Sequence, residues 1–430
     1  MSARAGSLAA VALTLLAGCG GGDARPDPPR PAARDAAPVN RAHGASLPPS
    51  DADAVRALLA RRAGALDRGD AAAYAATATG AAQRRRDRAA ARRARPLHPR
   101  EVALTAERID LVGHRAELRV RSSYRIRGIA GTFSAARRVV AVRRGAGWRV
   151  RAETSRRERH PWEVGRYALA RSRHFTIVVP AGLPTGALVT ALEGGYARIR
   201  ALLPGHPLRK RSLVVVAGDP VQALALTGSI RGVGGLAAVS DSQVIETGPA
   251  RRVERVASQR LIVVWPRWSA LSPAARERVV THELTHAALA DTTSGRTPAW
   301  MVEGVALYVS GDRRTADASR LLRGDVAGFS AAQASAAHRA LSLDALAWPG
   351  AIGRLRGTGQ AAAYAFSSAA AFRIAERYGR ARLLRLYQAF NDEELRGRPG
   401  PAVADRAARR VLGTSTGALE RDLRRQLGAF

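Results

Sequence analysis

The sequence predicts an α+β protein in which a small helix-plus-antiparallel-sheet domain precedes a larger domain with a mixed sheet. Residues 51–155 begin with apolar residues at helical spacing and continue with runs of alternating polarity. Residues 165–430 begin with β-branched runs and end in further helical spacing. Helices followed by separate strands are typical of α+β domains, and the polar stretch at 156–165 is the expected boundary.

The first domain opens on helices and closes on strands. Helical spacing begins at Ala54 and continues past Leu66, and Gly69-Asp70 precedes a second helical start. Four apolar runs then predict an antiparallel sheet, at residues 102–105, 116–120, 139–142 and 148–150. This order resembles that of nuclear transport factor 2-like domains. The sequence of residues 51–155 offers no acid-base constellation, which favours a structural or binding role for them.

The N-terminus predicts export. Arg4 gives a positive start, and the apolar stretch Leu8–Leu16 is shorter than a membrane-spanning helix. Leu16-Ala17-Gly18-Cys19 resembles a bacterial lipobox. The resemblance implies that residues 1–18 are a signal peptide, that Cys19 carries a lipid, and that the protein lies on the extracytoplasmic face of a bacterial cell membrane. The alternative is a buried thiol behind an uncleaved leader.

A tether is expected between this anchor and the folded chain. Residues 19–50 are rich in Gly, Pro, Ala and Asp, and they lack a periodic apolar pattern. Such a composition does not bury a core and is typical of an extended linker. Cys19 is the only cysteine, so the chain contains neither an internal disulfide nor a cysteine-rich metal site.

The charge is strongly positive but does not by itself indicate a nucleic-acid partner. The chain has 69 basic and 35 acidic residues, a formal charge of +34, and Lys210 is its only lysine. A composition dominated by Ala, Arg and Gly is typical of a GC-rich genome, and an exported lipoprotein meets no genome. The densest cluster, Arg84–Arg86 with Arg92-Arg93, predicts a solvated helix face. Contact with anionic lipid or acidic wall polymers is the alternative.

The second domain contains the motif most specific for chemistry. Residues 282–286, His-Glu-Leu-Thr-His, form a HExxH motif, preceded by the helix start Ser272-Pro273. No Gly or Pro follows until Gly295, so the motif is expected in the middle of a helix. Positions i and i+4 share one face, so His282 and His286 can bind one zinc ion together. Glu283 beside them is the candidate general base.

A third ligand has to come from elsewhere. Thr297-Pro298 signals a second helix, and Glu303 falls in its second turn. Catalytic zinc sites use three protein ligands and leave one position open. The spacing therefore predicts Glu303 as the third metal ligand. Two ordinary histidines on a surface helix are the alternative.

These two segments resemble the gluzincin zinc metallopeptidases, and residues 282–311 are especially similar to bacterial peptidase MA-like domains. The resemblance implies zinc bound by His282, His286 and Glu303, with Glu283 as general base, in a domain spanning 165–430. Thermolysin-like members have an aspartate where this chain has Leu307. A carboxylate supporting a ligand histidine must then come from elsewhere, and Asp291 and Asp312 are both open candidates.

Two further features fit such a site. Leu261–Val264 is a β-branched run before the motif helix, expected either as the sheet edge that pairs with substrate or as an ordinary buried strand. Tyr364 starts a helical pattern that runs to Gly379. Its place resembles that of the catalytic tyrosine of gluzincin aminopeptidases, which implies an oxyanion donor; a core aromatic is equally expected. Tyr308 is expected only to pack. Gly232–Gly235 is expected as a turn, without the lysine of a phosphate loop.

Together these observations predict a membrane-anchored, zinc-dependent endopeptidase that acts on a peptide or protein substrate. The alternative is a non-catalytic envelope lipoprotein that binds peptide or cell-wall material on a peptidase-like fold. The intact glutamate of the HExxH motif favours the enzyme, since a structural zinc site has no use for that base.

Overall fold

The computed structural model describes residues 50–155, 158–206, 208–228, 235–247, 251–322 and 341–428. The leader, the lipobox at Cys19 and the tether lie outside the described residues, as does all but the last residue of the Gly232–Gly235 turn.

The first unit is a four-stranded antiparallel sheet covered by three helices. The sheet order is β1-β2-β3-β4, so each strand pairs with its neighbour in sequence. Ser50 and Asp70 cap the first two helices with their side chains. The elements are α1 (Asp51–Asp67), α2 (Ala71–Ala76), α3 (Ala81–Ala94), β1 (Pro99–Val112), β2 (Arg115–Ile126), β3 (Phe133–Arg144) and β4 (Gly147–Ser155). The helix-then-sheet order expected for residues 51–155 is confirmed.

One buried ionic cluster ties these helices to the sheet. The Arg62 guanidinium on α1 donates to both carboxylate oxygens of Asp87 on α3, each at 2.8 Å. It also donates to Glu153 on β4 at 2.7 Å and stacks over the Tyr74 ring at 3.9 Å. Arg62 is 1% exposed, and the two carboxylates offset the free-energy cost of removing its charge from water.

The second unit is built on a five-stranded mixed sheet in the order β5-β6-β7-β9-β8. β6, β7 and β9 are parallel, while β5 and β8 run antiparallel at the two edges. The elements are α4 (Pro161–Val164), β5 (Tyr167–Arg171), β6 (Phe175–Pro180), α5 (Gly186–Leu202), β7 (Ser212–Ala217), α6 (Pro220–Thr227), β8 (Ala238–Thr247) and β9 (Arg252–Val264). β6 and β7 are formed by β-branched runs near the start of residues 165–430, where the sequence predicts strands.

Of the two alternatives for Leu261–Val264, the structure shows the ordinary buried strand and not the sheet edge. This run ends β9, which lies between β7 and β8, and all four residues are buried. A continuous apolar run is typical of a strand covered on both faces, and such a strand belongs inside a sheet. The edge on the side of the motif helix is β8 instead.

The remaining described chain is helical. The elements are α7 (Trp265–Ser269), α8 (Pro273–Ala288), α9 (Ala299–Ser310), α10 (Thr315–Leu322), α11 (Ala351–Arg354), α12 (Gly357–Tyr378), α13 (Arg380–Ala389), α14 (Pro401–Leu412) and α15 (Thr416–Gln426). They pack with α5 and one face of the mixed sheet around a single large core that includes Trp268, Trp300 and Phe366.

The two units share a hydrophobic core across the expected boundary. Tyr124 and Phe133 from the first sheet pack in one cluster with Trp162, Val215 and Ile262. Charged contacts add to the junction, because Arg137 on β3 donates to Glu163 on α4 at 2.7 Å. The first unit is therefore built into the second rather than joined to it by a free linker.

The α+β prediction is confirmed: an antiparallel sheet precedes a mixed sheet, and helices complete the chain. None of the described helices is at once long enough and apolar enough to cross a bilayer.

Candidate metal centre

Helix α8 places the two histidines of the motif side by side. The Ser272 side chain caps its N-terminus by accepting from the Ala275 N–H, as the sequence predicts. The His282 and His286 rings lie 4.7 Å apart at 82° to each other. The helix ends at Ala288, well before Gly295, so the motif lies in its last two turns and not at its middle.

Helix α9 brings Glu303 to the same place. The helix starts directly after Pro298 and carries Glu303 in its second turn, as predicted. On its other side α9 meets α12 so closely that a Cβ on Gly304 would lie 2.6 Å from the Ser367 carbonyl oxygen. Only glycine allows the two helices to come this close. Their close approach fixes the position of α9 and therefore that of the neighbouring Glu303.

The three predicted ligands converge on one point. The two Nε2 atoms are 3.1 Å apart, and Glu303 Oε2 lies 3.2 Å from that of His282 and 3.5 Å from that of His286. Two ligand atoms of a tetrahedral zinc ion lie about 3.3 Å apart, given zinc bonds of roughly 2.0–2.1 Å. The three spacings therefore fit zinc. Among the described residues this metal-ligand group has three members, which leaves a coordination position open.

Electrostatics prepare Glu303 as an anionic ligand. Burial alone would raise its pKa, but the charge on His286 and hydrogen bonds from both histidines lower that pKa to about 2. Burial opposes protonation of His286, but the Glu303 carboxylate outweighs it and raises the pKa of the imidazole. The carboxylate is thus ionised, and a metal ion would compete with a proton for the His286 imidazole.

Glu283 is held by the edge strand. Its Oε2 accepts a hydrogen bond from the backbone N–H of Ser240 on β8 at 2.7 Å. Burial raises the pKa of the Glu283 carboxyl, and the nearby histidines only partly offset this. A raised pKa suits a group that takes up and releases a proton near neutral pH. Ser240 was not predicted, because it acts through its main chain and leaves no side-chain signal.

A buried ion cluster fixes the register of β8 next to this bond. Asp241, directly after Ser240, accepts from Arg260 Nε at 2.8 Å. The same guanidinium donates to Glu158, in the segment that joins the two units, and to the Leu226 carbonyl. Arg260 is buried, so its position is set by these partners.

No carboxylate supports the ligand histidines in the described structure. Leu307, which stands where thermolysin-like members have an aspartate, is fully buried in the core. Asp291 has its carboxylate near His206, at 3.9 Å, and Asp312 pairs with Arg314 at 2.6 Å. Neither is found on His282, whose Nδ1 is buried without a hydrogen-bond partner among the described residues.

The two tyrosines occupy different surroundings. Tyr364 is buried in the second turn of α12, three residues before the Ser367 carbonyl that meets α9, and so on the same helix face. Its role as oxyanion donor stays a prediction. Tyr308 packs its ring against Phe372 at 5.1 Å, in keeping with the packing role expected of it.

Comparison with protein-family models, with curated proteins and with solved structures found no match for this chain. The resemblance to gluzincins rests on the motif residues. The geometry that those residues adopt is separate support for a metal site.

Proposed function

We propose that this protein is a zinc-dependent endopeptidase, tethered through Cys19 to the extracytoplasmic face of a bacterial membrane. The observation that carries the proposal is the convergence of His282, His286 and Glu303 at tetrahedral spacing, with Glu283 beside them. A site with three protein ligands is typical of catalytic zinc, whereas structural zinc usually has four.

Each residue of the site has its own role in hydrolysis. A zinc ion held by His282, His286 and Glu303 supplies a Lewis acid, which lowers the pKa of water and polarises a carbonyl group. Glu283 takes a proton from the water that attacks the amide carbon. It then gives that proton to the nitrogen as the carbon–nitrogen bond breaks. The Ser240 N–H holds the Glu283 carboxylate in place for both transfers.

The edge strand favours a polypeptide substrate. Among the described strands β8 pairs only with β9, so one side of its main chain is available for hydrogen bonds. An extended peptide can add to such an edge and would pass next to Ser240 and Glu283. Main-chain pairing gives binding with little dependence on the substrate's side chains. Tyr364 would donate to the developing oxyanion.

The test is Glu283→Gln in the mature chain, measured as hydrolysis of a peptide pool and as zinc per chain. We expect activity to fall by about 100-fold or more, because general base catalysis contributes roughly 10²–10⁴-fold. Zinc content should not change, since Glu283 is not a ligand. Glu277→Gln is the matched control: the same substitution at an exposed position of the same helix, expected to be fully active. Turnover retained in Glu283→Gln would contradict the mechanism.

The alternative of a non-catalytic binding protein makes a different prediction. It requires zinc with a fourth protein ligand and no hydrolysis of any peptide. The three-membered ligand group of the described residues favours the enzyme.

A further inference from the structure

The arginines of α3 line two cavities. The larger has a volume of about 640 Å³ and lies between α3 and the start of β5. Five arginines surround it, Arg85, Arg88, Arg92, Arg93 and Arg166, and Tyr167 forms part of its wall. α3 is held in place there, since Arg93 Nε donates to the Trp162 carbonyl at 2.7 Å.

A second cavity of about 460 Å³ lies on the other side of the same helix. It is lined by Arg84, Arg144 and Arg149, together with Arg88, which borders both cavities. One helix thus presents its positive charge to two neighbouring concave surfaces.

These arginines have no counter-charge among the residues that the structure describes. No aspartate or glutamate lines either cavity, and Arg85, Arg88, Arg92 and Arg166 make no ion pair among the described residues. The contrast on the same helix is Asp87, whose carboxylate accepts hydrogen bonds from buried Arg62 and from Gln83. The acid that α3 does carry is therefore turned away from the cavities.

Such an arrangement is unfavourable without an external anion. Arg85, Arg88 and Arg92 follow one another at helical spacings of three and four, where like charges destabilise a helix by roughly 0.2–0.5 kcal/mol per pair. A bound anion would convert this repulsion into attraction. Guanidinium groups bind phosphate through two parallel hydrogen bonds, and a cavity of this size is in the usual range for a small ligand.

We propose that the larger cavity binds an organic phosphate with more than one negative charge. The excess of five arginines over carboxylates requires such a charge, and the half-open shape admits either a soluble phosphate ester or the headgroup of an anionic lipid. The site is distinct from the metal centre, and its occupancy does not depend on the peptidase proposal.

The test measures binding to the mature chain with Cys19→Ser, which carries no lipid, in its metal-free form, so that neither the anchor nor zinc plays a part. Inorganic pyrophosphate, followed by calorimetry, is the soluble probe. Sedimentation with vesicles that contain cardiolipin, whose headgroup carries two phosphate charges, compared with vesicles of phosphatidylcholine alone, is the lipid probe. The variant is Arg88→Gln with Arg92→Gln; both residues are exposed and unpaired, so the fold should persist in thermal unfolding.

The matched control removes the same charge elsewhere. Arg61→Gln with Arg421→Gln changes two exposed arginines on α1 and α15 that make no ion pair among the described residues. We expect the cavity variant to bind about 100-fold more weakly, roughly tenfold for each arginine, and the control to bind within about twofold of wild type.

The two probes separate the sources of the phosphate. Weakening with pyrophosphate assigns the cavity to a soluble ester, and weakening confined to cardiolipin vesicles assigns it to a headgroup. Absence of binding to either probe, or equal weakening in the variant and the control, overturns the proposal.

Discussion

Gly304→Ala tests whether the packing of α9 against α12 positions the proposed metal ligand Glu303. The added Cβ would lie 2.6 Å from the Ser367 carbonyl oxygen and 3.1 Å from the Ala371 Cβ. Ordinary contact begins at 3.4 Å, so the two helices must separate by about 0.8 Å at this point. The obstacle is backbone, which does not move aside as a long side chain does.

The magnitude follows from two opposing effects. Overpacking typically costs about 1–3 kcal/mol, and the backbone contact places Gly304→Ala near the upper end. Alanine gains about 1 kcal/mol over glycine in a helix interior. We expect a net loss of about 2 kcal/mol in the free energy of unfolding. Because Glu303 moves with α9, zinc affinity should fall roughly tenfold.

Gly359→Ala is the control, and it lies in α12 with no atom within 4 Å of the added Cβ. It should leave zinc affinity unchanged and stabilise the chain by about 0.5–1 kcal/mol. Chemical denaturation gives the free energies, and competition with a zinc chelator gives the affinities. The reasoning is refuted if Gly304→Ala behaves like Gly359→Ala in both measurements.

Three further predictions concern the buried charges. Arg62→Met should lower the free energy of unfolding by about 3–5 kcal/mol, because the buried Asp87 and the half-buried Glu153 carboxylates lose their partner; a loss below about 1 kcal/mol in denaturation would contradict this. Glu158→Gln should reduce kcat for peptide hydrolysis several-fold with zinc content unchanged, because it loosens Arg260 beside β8; an unchanged kcat would remove this role. Asp422→Asn should cost about 1 kcal/mol at neutral pH, because Arg373 on α12 donates to that carboxylate at 2.7 Å and lowers its pKa. That difference should shrink as the pH falls below 3.8, where the unfolded carboxyl takes up a proton; a difference constant with pH would contradict it.

Local signals predicted the parts of the site that depend on single helices. Ser272-Pro273 and Thr297-Pro298 mark the starts of α8 and α9, and the spacing of His282 and His286 follows from helical geometry alone. The position of Glu303 next to the two histidines depends on how α9 packs. The sequence indicates this packing only through the resemblance to gluzincins.

Contacts between residues far apart in the sequence could not be predicted. β8 mixes polar and apolar residues without a clean alternation, so nothing in the sequence identified it as a strand or as the sheet edge. The contact of Ser240 with Glu283 is made by a main-chain group. Arg260, Asp241 and Glu158 are brought together from separate elements.

The predicted division into two domains also left out a contact between residues far apart in the sequence. The sequence boundary at 156–165 is real in composition, yet Tyr124 and Phe133 share a core with the mixed sheet. Removal of residues 51–155 would expose that core. Point substitutions such as Glu158→Gln therefore test the first unit's influence on the site more cleanly than deletion does.

The central claim is that His282, His286 and Glu303 hold one zinc ion with an open position. X-ray absorption at the zinc edge of the purified mature chain tests it most directly. The account predicts one zinc per chain, two nitrogen ligands at about 2.0–2.1 Å and oxygen ligands at about 2.0–2.2 Å, with no fourth protein ligand. A chain that binds no zinc, or one whose zinc is unchanged when Glu303 is replaced by Ala, would contradict it.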